Sequence, residues 1–169
     1  TFTMRIRMPG WCRNALLRVN DKVVLRPTIN KQYMVINRTW SNGDRIVLNM
    51  AMTPMRIEAH PSVTADTGRV CIQRGPIIFA LEGIDNGDGS LADPVLAANP
   101  NLRATYNSSL LGGVETITAE KQGGGTLTFV PWYATAQRGR SWQRVWIKQA
   151  SKTVRTTGWE DRLYREYTP

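Results

Sequence analysis

The sequence predicts an all-β fold, an antiparallel β-sandwich or jelly roll in which one partial sandwich is followed by a second. Three observations predict it. Apolar residues recur with period two or in short continuous runs, clusters of Gly, Asn, Asp and Pro punctuate those runs, and no stretch sustains a helical period. Closely spaced short strands divided by turn residues are the pattern of sandwiches and jelly rolls.

In the first segment Phe2, Met4, Ile6 and Met8 share one face and Thr3, Arg5 and Arg7 the other, predicting a half-buried strand that ends at Pro9-Gly10. A second strand fits Leu16 to Val19, turning at Asn20-Asp21 into Val23–Leu25. Tyr33–Ile36 follows. The Trp40 to Asp44 stretch then supplies Asn-Gly turn chemistry, because both residues tolerate positive φ, and Ile46, Leu48 and Met50 complete the expected hairpin.

Pro54 and Pro61 cannot both sit in a central strand, so a domain boundary is expected near residue 57. Beyond it Val70-Cys71-Ile72 reads as a short strand and Ile77 to Leu81 as a strand covered on both faces, with a turn or bulge at Arg74-Gly75-Pro76. Residues 83–101 read as a Gly/Asp/Asn-rich loop with a short turn at Leu91–Ala98. Further strands are expected at Leu102–Tyr106, Gly113–Thr118, Leu127–Val130 and Val145–Ile147. The predicted organisation is therefore a half-sandwich at 1–57, a second sandwich at 58–148 and a weakly patterned tail at 149–169. In that tail, residues 159–164 suit a short helix or a frayed end.

The 169 residues fit one ordinary domain, or one and part of another, and a 41% apolar fraction spread along the chain permits a core. No run approaches the about 18 apolar residues that a membrane-spanning helix needs. The chain opens inside a strand pattern, with no initiator Met and no signal-peptide pattern, so a portion of a longer protein is expected. Its compartment is not legible.

The net charge of +9 is uneven: residues 1–57 hold ten basic and two acidic side chains, 58–109 three and six, and 110–169 nine and five. A basic nucleic-acid binder would use a cluster such as Arg138, Arg140 and Arg144. Arg5 and Arg7, by contrast, read as the solvated face of a strand, and the nucleic-acid reading stays subordinate.

Candidate chemistry is sparse. Asp66, Glu82, Asp85, Asp88 and Asp93 could in principle form the carboxyl pair of a glycosidase, but Asp85-Asn86-Gly87-Asp88-Gly89 reads more simply as a turn bonded to its own backbone. An EF-hand is excluded because Ala97 and its neighbours stand where a bidentate Glu is required. His60 is the sole imidazole and reads as a packed or surface residue. Cys12 and Cys71 read as two buried thiols, with a disulfide the alternative, and no ligand spacing suggests zinc. Phosphate-loop, dinucleotide and nucleophile-elbow motifs are absent. Of the six tryptophans most are expected in the core. Trp132-Tyr133 and Trp142 flank a basic loop and are the candidate carbohydrate-binding or interdomain residues.

Four stretches, in order, resemble one family, the retaining β-L-arabinofuranosidases of glycoside hydrolase family 127. MRIRMPGWCRNALLRVN is similar to its strand, Pro-Gly-Trp turn and short Val-Asn hairpin. YMVINRTWSNGDRIVLNMAMTPMRIEAHP resembles its Arg-x-Trp, Gly-Asp and apolar strand leading to His-Pro. GRVCIQRGPIIFALEGIDN resembles its Gln-Arg-Gly-Pro and Leu-Glu run, and VPWYATAQRG with RVWI its closing strands. The resemblance implies a C-terminal β-sandwich region following a helical catalytic domain. It further implies that the family's zinc-bound cysteine nucleophile and its other metal ligands belong to that helical domain, so no catalytic residue, metal or cofactor is expected in this chain. Expected partners are the helical domain of the same parent chain, a second copy in a homodimer, or a glycan, with no membrane. The expected function is non-catalytic support of a glycoside hydrolase. The alternatives are an independent carbohydrate-binding module and a nucleic-acid-binding domain.

Overall fold

The computed structural model describes residues 1–24, 28–30, 32–87, 93–150 and 154–168. These form two compact units, Thr1–Met52 and Thr53–Pro169. The division falls ahead of the break expected near residue 57, because the strand starting at Pro54 pairs with the strand that follows it.

The first unit has six strands: β1 (Phe2–Arg7), β2 (Ala15–Val19), β3 (Lys22–Val23), β4 (Thr28–Asn30), β5 (Tyr33–Arg38) and β6 (Ile46–Met50). They form two three-stranded sheets, ordered β1-β5-β4 and β3-β2-β6. The alternation in β1 holds for Met4 and Ile6, half-buried, against exposed Arg5 and Arg7, whereas Phe2, expected on the buried face, is 54% exposed at the strand's start. Leu17 and Val19 of β2 meet Met34 and Ile36 of β5 in one core with Met8, so the two sheets bury their inner faces against each other. Asn20 and Asp21 both take positive φ (50° and 62°) between paired Val19 and Lys22, the two-residue turn whose twist matches a hairpin. Leu25, the expected end of the third strand, lies outside the described residues.

The expected hairpin between Tyr33–Ile36 and Ile46–Met50 does not form: β5 pairs with β1 and β4, whereas β6 pairs with β2. The connecting turn is present, closed by Asp44, which accepts the Ser41 N–H at 2.9 Å and the Asn20 side-chain amide at 2.7 Å. Because Asn20 belongs to the β2 turn, and its Oδ1 also accepts the Arg45 N–H at 2.9 Å, the chain is drawn from one sheet into the other.

The second unit contains β7 (Pro54–Ala59), β8 (Arg69–Arg74), β9 (Ile77–Glu82), a one-turn helix α1 (Gly83–Asn86), β10 (Val95–Leu96), β11 (Arg103–Asn107), β12 (Val114–Glu120), β13 (Thr126–Pro131), β14 (Gln143–Arg144), β15 (Ile147–Gln149) and β16 (Tyr164–Glu166). One curled sheet runs β10-β15-β8-β9-β13-β12-β11, with β14 on β9, β7 on β8 and β16 on β7. The β10–β15 pair is parallel. The sheet bends back on itself where Leu96 of β10 bridges to Lys121, just past β12. Around that bend Val70, Ile72, Phe79, Leu81, Ile117, Phe129 and Ile147 are buried together. Burial of such side chains contributes about 1.5–3 kcal/mol each.

Three local expectations change. The 83–101 loop holds a short strand at Val95–Leu96 in place of the expected turn, because β15 offers it a parallel partner. The strand expected at Val145–Ile147 begins only at Ile147. The tail carries β16, paired with β7 through Tyr164↔Ala59, Arg165↔Glu58 and Glu166↔Ile57, so it is neither helical nor frayed there. Trp159 is buried against His60, with ring centroids 5.0 Å apart.

Candidate functional site

The candidate aromatic residues occupy the loop between β13 and β14. Pro131 ends β13 and cannot donate to a further ladder, and Trp132–Ala134 then form a single 3-10 turn whose Ala134 is buried. The turn holds the two neighbouring rings outward: Trp132 is 51% and Tyr133 62% exposed. Trp142 is placed differently. It packs, half-buried, on the core, and its Nε1–H donates to the Gly87 carbonyl at 3.2 Å.

A buried charge cluster fixes this loop. Glu82, at the end of β9, is 1% exposed. Its Oε1 accepts the Ala136 N–H at 2.7 Å and its Oε2 accepts Arg138 Nη2–H at 2.6 Å. Arg138 also forks onto Asp85 of α1, donating Nη1–H to Oδ1 at 2.8 Å and Nη2–H to Oδ2. The Asp85 hydrogen bonds, followed by those to Glu82, push the Arg138 pKa above its ordinary value, so it is a permanent cation there. Ala136 sits at φ 61°, a left-handed conformation that costs a residue bearing a Cβ about 1–2 kcal/mol, and the Glu82 bond holds it there. On the far side, Gly83 N–H donates to the Trp142 carbonyl at 3.0 Å, and a Cβ at Gly83 would lie 2.5 Å from Trp142 Nε1. Only glycine fits that approach.

Three comparisons place these units. A family model described as the Beta-L-arabinofuranosidase, GH127 middle domain matches residues 1–52, and the glycoside hydrolase family 127 C-terminal domain matches residues 54–148. The chain belongs to glycoside hydrolase family 127. A curated relative, the non-reducing end beta-L-arabinofuranosidase of Bifidobacterium longum subsp. longum, is 34% identical over 124 residues, 66% of this chain and 17% of the relative. A solved GH127 beta-L-arabinofuranosidase from Geobacillus stearothermophilus T6 is 37% identical with a TM-score of 0.79, covering 88% of this chain and 26% of its own. A second solved GH127 beta-arabinofuranosidase is 30% identical with a TM-score of 0.79, covering 88% and 28%. This GH127 chain thus spans about a sixth of the curated relative and about a quarter of the solved ones.

The other candidates of the GH127 chain are dispersed. Glu82 and Asp85 are engaged by Arg138, and Asp93 is held by Arg69 at 2.9 Å and Lys148 at 2.9 Å. Asp88 lies outside the described residues. His60 Nδ1 accepts the Ser62 N–H at 3.1 Å and lies 2.7 Å from the Ser62 hydroxyl, against Trp159. Both cysteines are free thiols: Cys12 is half-buried, and burial pushes the Cys71 thiol up to about 12. A thiol so protonated is a poor nucleophile and a poor zinc ligand. Among the described residues no three of His, Cys, Asp and Glu converge as metal ligands. Cys71, Ile57, Ile78, Trp146 and Tyr164 instead line an apolar groove of about 330 Å³.

The Glu82–Arg138–Asp85 cluster was not anticipated as a unit. One signal was available: Glu82 closes an apolar run read as covered on both faces, and a carboxylate there requires a cation from elsewhere in the chain. The sequence does not say which arginine supplies it.

Proposed function

We propose that this chain is the non-catalytic middle and C-terminal β-portion of a longer glycoside hydrolase, and that it supports the catalytic part of that enzyme or its subunit contacts. The observation that carries this reading is positional: its two units match, consecutively, the middle and C-terminal domain models of the family, while the chain covers 17% of the curated relative. The chemistry agrees, because the buried carboxylates Glu58 and Glu82 lie in ion pairs with Arg165 and Arg138. In this proposal the longer enzyme hydrolyses terminal β-L-arabinofuranosyl linkages, as the curated relative's name describes for that protein, and zinc is held by residues outside this chain.

The test is turnover of an aryl β-L-arabinofuranoside by the purified chain with added zinc. No turnover is expected, whereas removal of this region from the longer enzyme lowers its soluble yield and activity. Turnover by the chain alone that disappears in Cys12→Ser overturns the reading.

A further inference from the structure

We propose that the Trp132–Tyr133 turn is a glycan-binding platform, built to stack the sugar rings of a short neutral oligosaccharide. The inference goes beyond the support role above, since a supporting domain needs no ligand of its own.

Large aromatic side chains are normally among the most buried by area, yet these two neighbours stand more than half exposed on one turn. Among the described residues, no protein group takes the Trp132 indole N–H or the Tyr133 hydroxyl, so each ring offers both an apolar face and an unspent polar tip. That combination suits a sugar, which presents C–H faces and hydroxyl rims together. The chain around the rings is polar: Gln137 and Arg140 are exposed, and Thr135 is half-buried with its hydroxyl donating to the Trp132 carbonyl at 2.8 Å. Such a setting suits an amphipathic ring ligand, whose hydroxyls find polar partners beside the aromatic faces.

The turn is also held in advance of any ligand. Glu82 secures Ala136 in its left-handed conformation, Arg138 ties the loop to Glu82 and Asp85, and the Gln137 side-chain amide donates to the Tyr133 carbonyl at 3.1 Å. A loop fixed in this way loses little conformational freedom on binding, which is how a small contact area acquires measurable affinity. The strained Ala136 is maintained at some cost beside the rings, where strain is characteristic of binding loops.

The experiment is a two-dimensional NMR titration of the chain with arabino-oligosaccharides, with cello-oligosaccharides as a parallel arm. The six tryptophans give separate indole signals, so the response is read residue by residue. The expected result is a saturating shift of the Trp132 indole at millimolar ligand while the Trp159 indole stays fixed. Trp132→Ala or Tyr133→Ala, both surface changes that leave the other indole signals in place, should weaken binding about tenfold. Glu82→Gln, which keeps an acceptor for Ala136 but removes the charge facing Arg138, should weaken binding with both rings intact. A Trp132 signal unmoved by either sugar overturns the proposal. It is likewise overturned if that signal responds only to the remainder of the longer enzyme, which would assign the rings to a protein interface. The support role is judged separately by the truncation above.

Discussion

Arg165→Met should destabilise the second unit by about 3–5 kcal/mol, the usual consequence of removing one partner from a buried ion pair. Arg165 donates its Nε–H to Glu58 Oε1 at 2.8 Å and its Nη1–H to the Thr157 and Gly158 carbonyls at 3.0 and 2.6 Å. Its guanidinium lies 3.9 Å from the centroid of the Trp159 ring. Glu58 is 1% exposed, so water cannot replace what is removed. Urea unfolding is the assay, with the change in midpoint converted through an unchanged slope. Arg165→Lys keeps the charge but not the fork, and a loss of about 1–3 kcal/mol is expected. Glu58→Gln combined with Arg165→Met removes both charges of the pair and should recover part of the loss, a coupling of about 0.5–3 kcal/mol. The reasoning is refuted if Arg165→Met lies within about 0.5 kcal/mol of wild type, the range of ordinary surface substitutions, or if the double variant is no more stable than the single one.

Gly83→Ala forces a Cβ to within 2.5 Å of Trp142 Nε1 and should cost about 1–3 kcal/mol while displacing the Trp142 indole signal, measured by unfolding and NMR. A thiol reagent at pH 8 should modify half-buried Cys12 first and reach Cys71 only as fast as the unit opens, so Cys12→Ser leaves a single slow phase in the absorbance trace. Asp93 is held below the ordinary carboxylate range by its hydrogen bond to Arg69 and then by Lys148. Its contribution is therefore fully present above the unfolded value of about 3.9 and is lost as pH falls below it, so Asp93→Asn should flatten the acid limb of stability between about pH 4 and 2.

The strands were legible where one face meets a core, because period-two alternation in β1 and the continuous run of β9 are direct imprints of burial. Pairing was less so. The Asn42-Gly43 turn announces a reversal but not its partner, and Asp44 bonding to Asn20 carries β6 to β2 instead of β5. The tail strand β16 was illegible because no period-two pattern marks it: buried Glu58 meets Arg165, and Tyr164 stacks on Trp146 with centroids 5.7 Å apart, both contacts between residues far apart in sequence. At the candidate site, Trp132 and Tyr133 were visible as aromatics beside a basic loop. Trp142 looked equivalent in sequence and is placed differently, packed against a glycine far away in the chain, Gly83. Arg138 read as part of a basic cluster with Arg140 and Arg144, while its fold-level partners Glu82 and Asp85 lie far from it in sequence.

The pairing of β16 with β7 also sets a schedule. Glu58 meets Arg165 across 107 residues of sequence, so a ribosome adding about 5–20 residues per second takes on the order of 5–20 s between making the acid and making the base that pairs with it. During that interval β7 can zip to β8 but lacks the strand on its other flank. The second unit therefore closes only after Arg165 has been made, and a nascent chain arrested before Arg165 should remain sensitive to protease along β7.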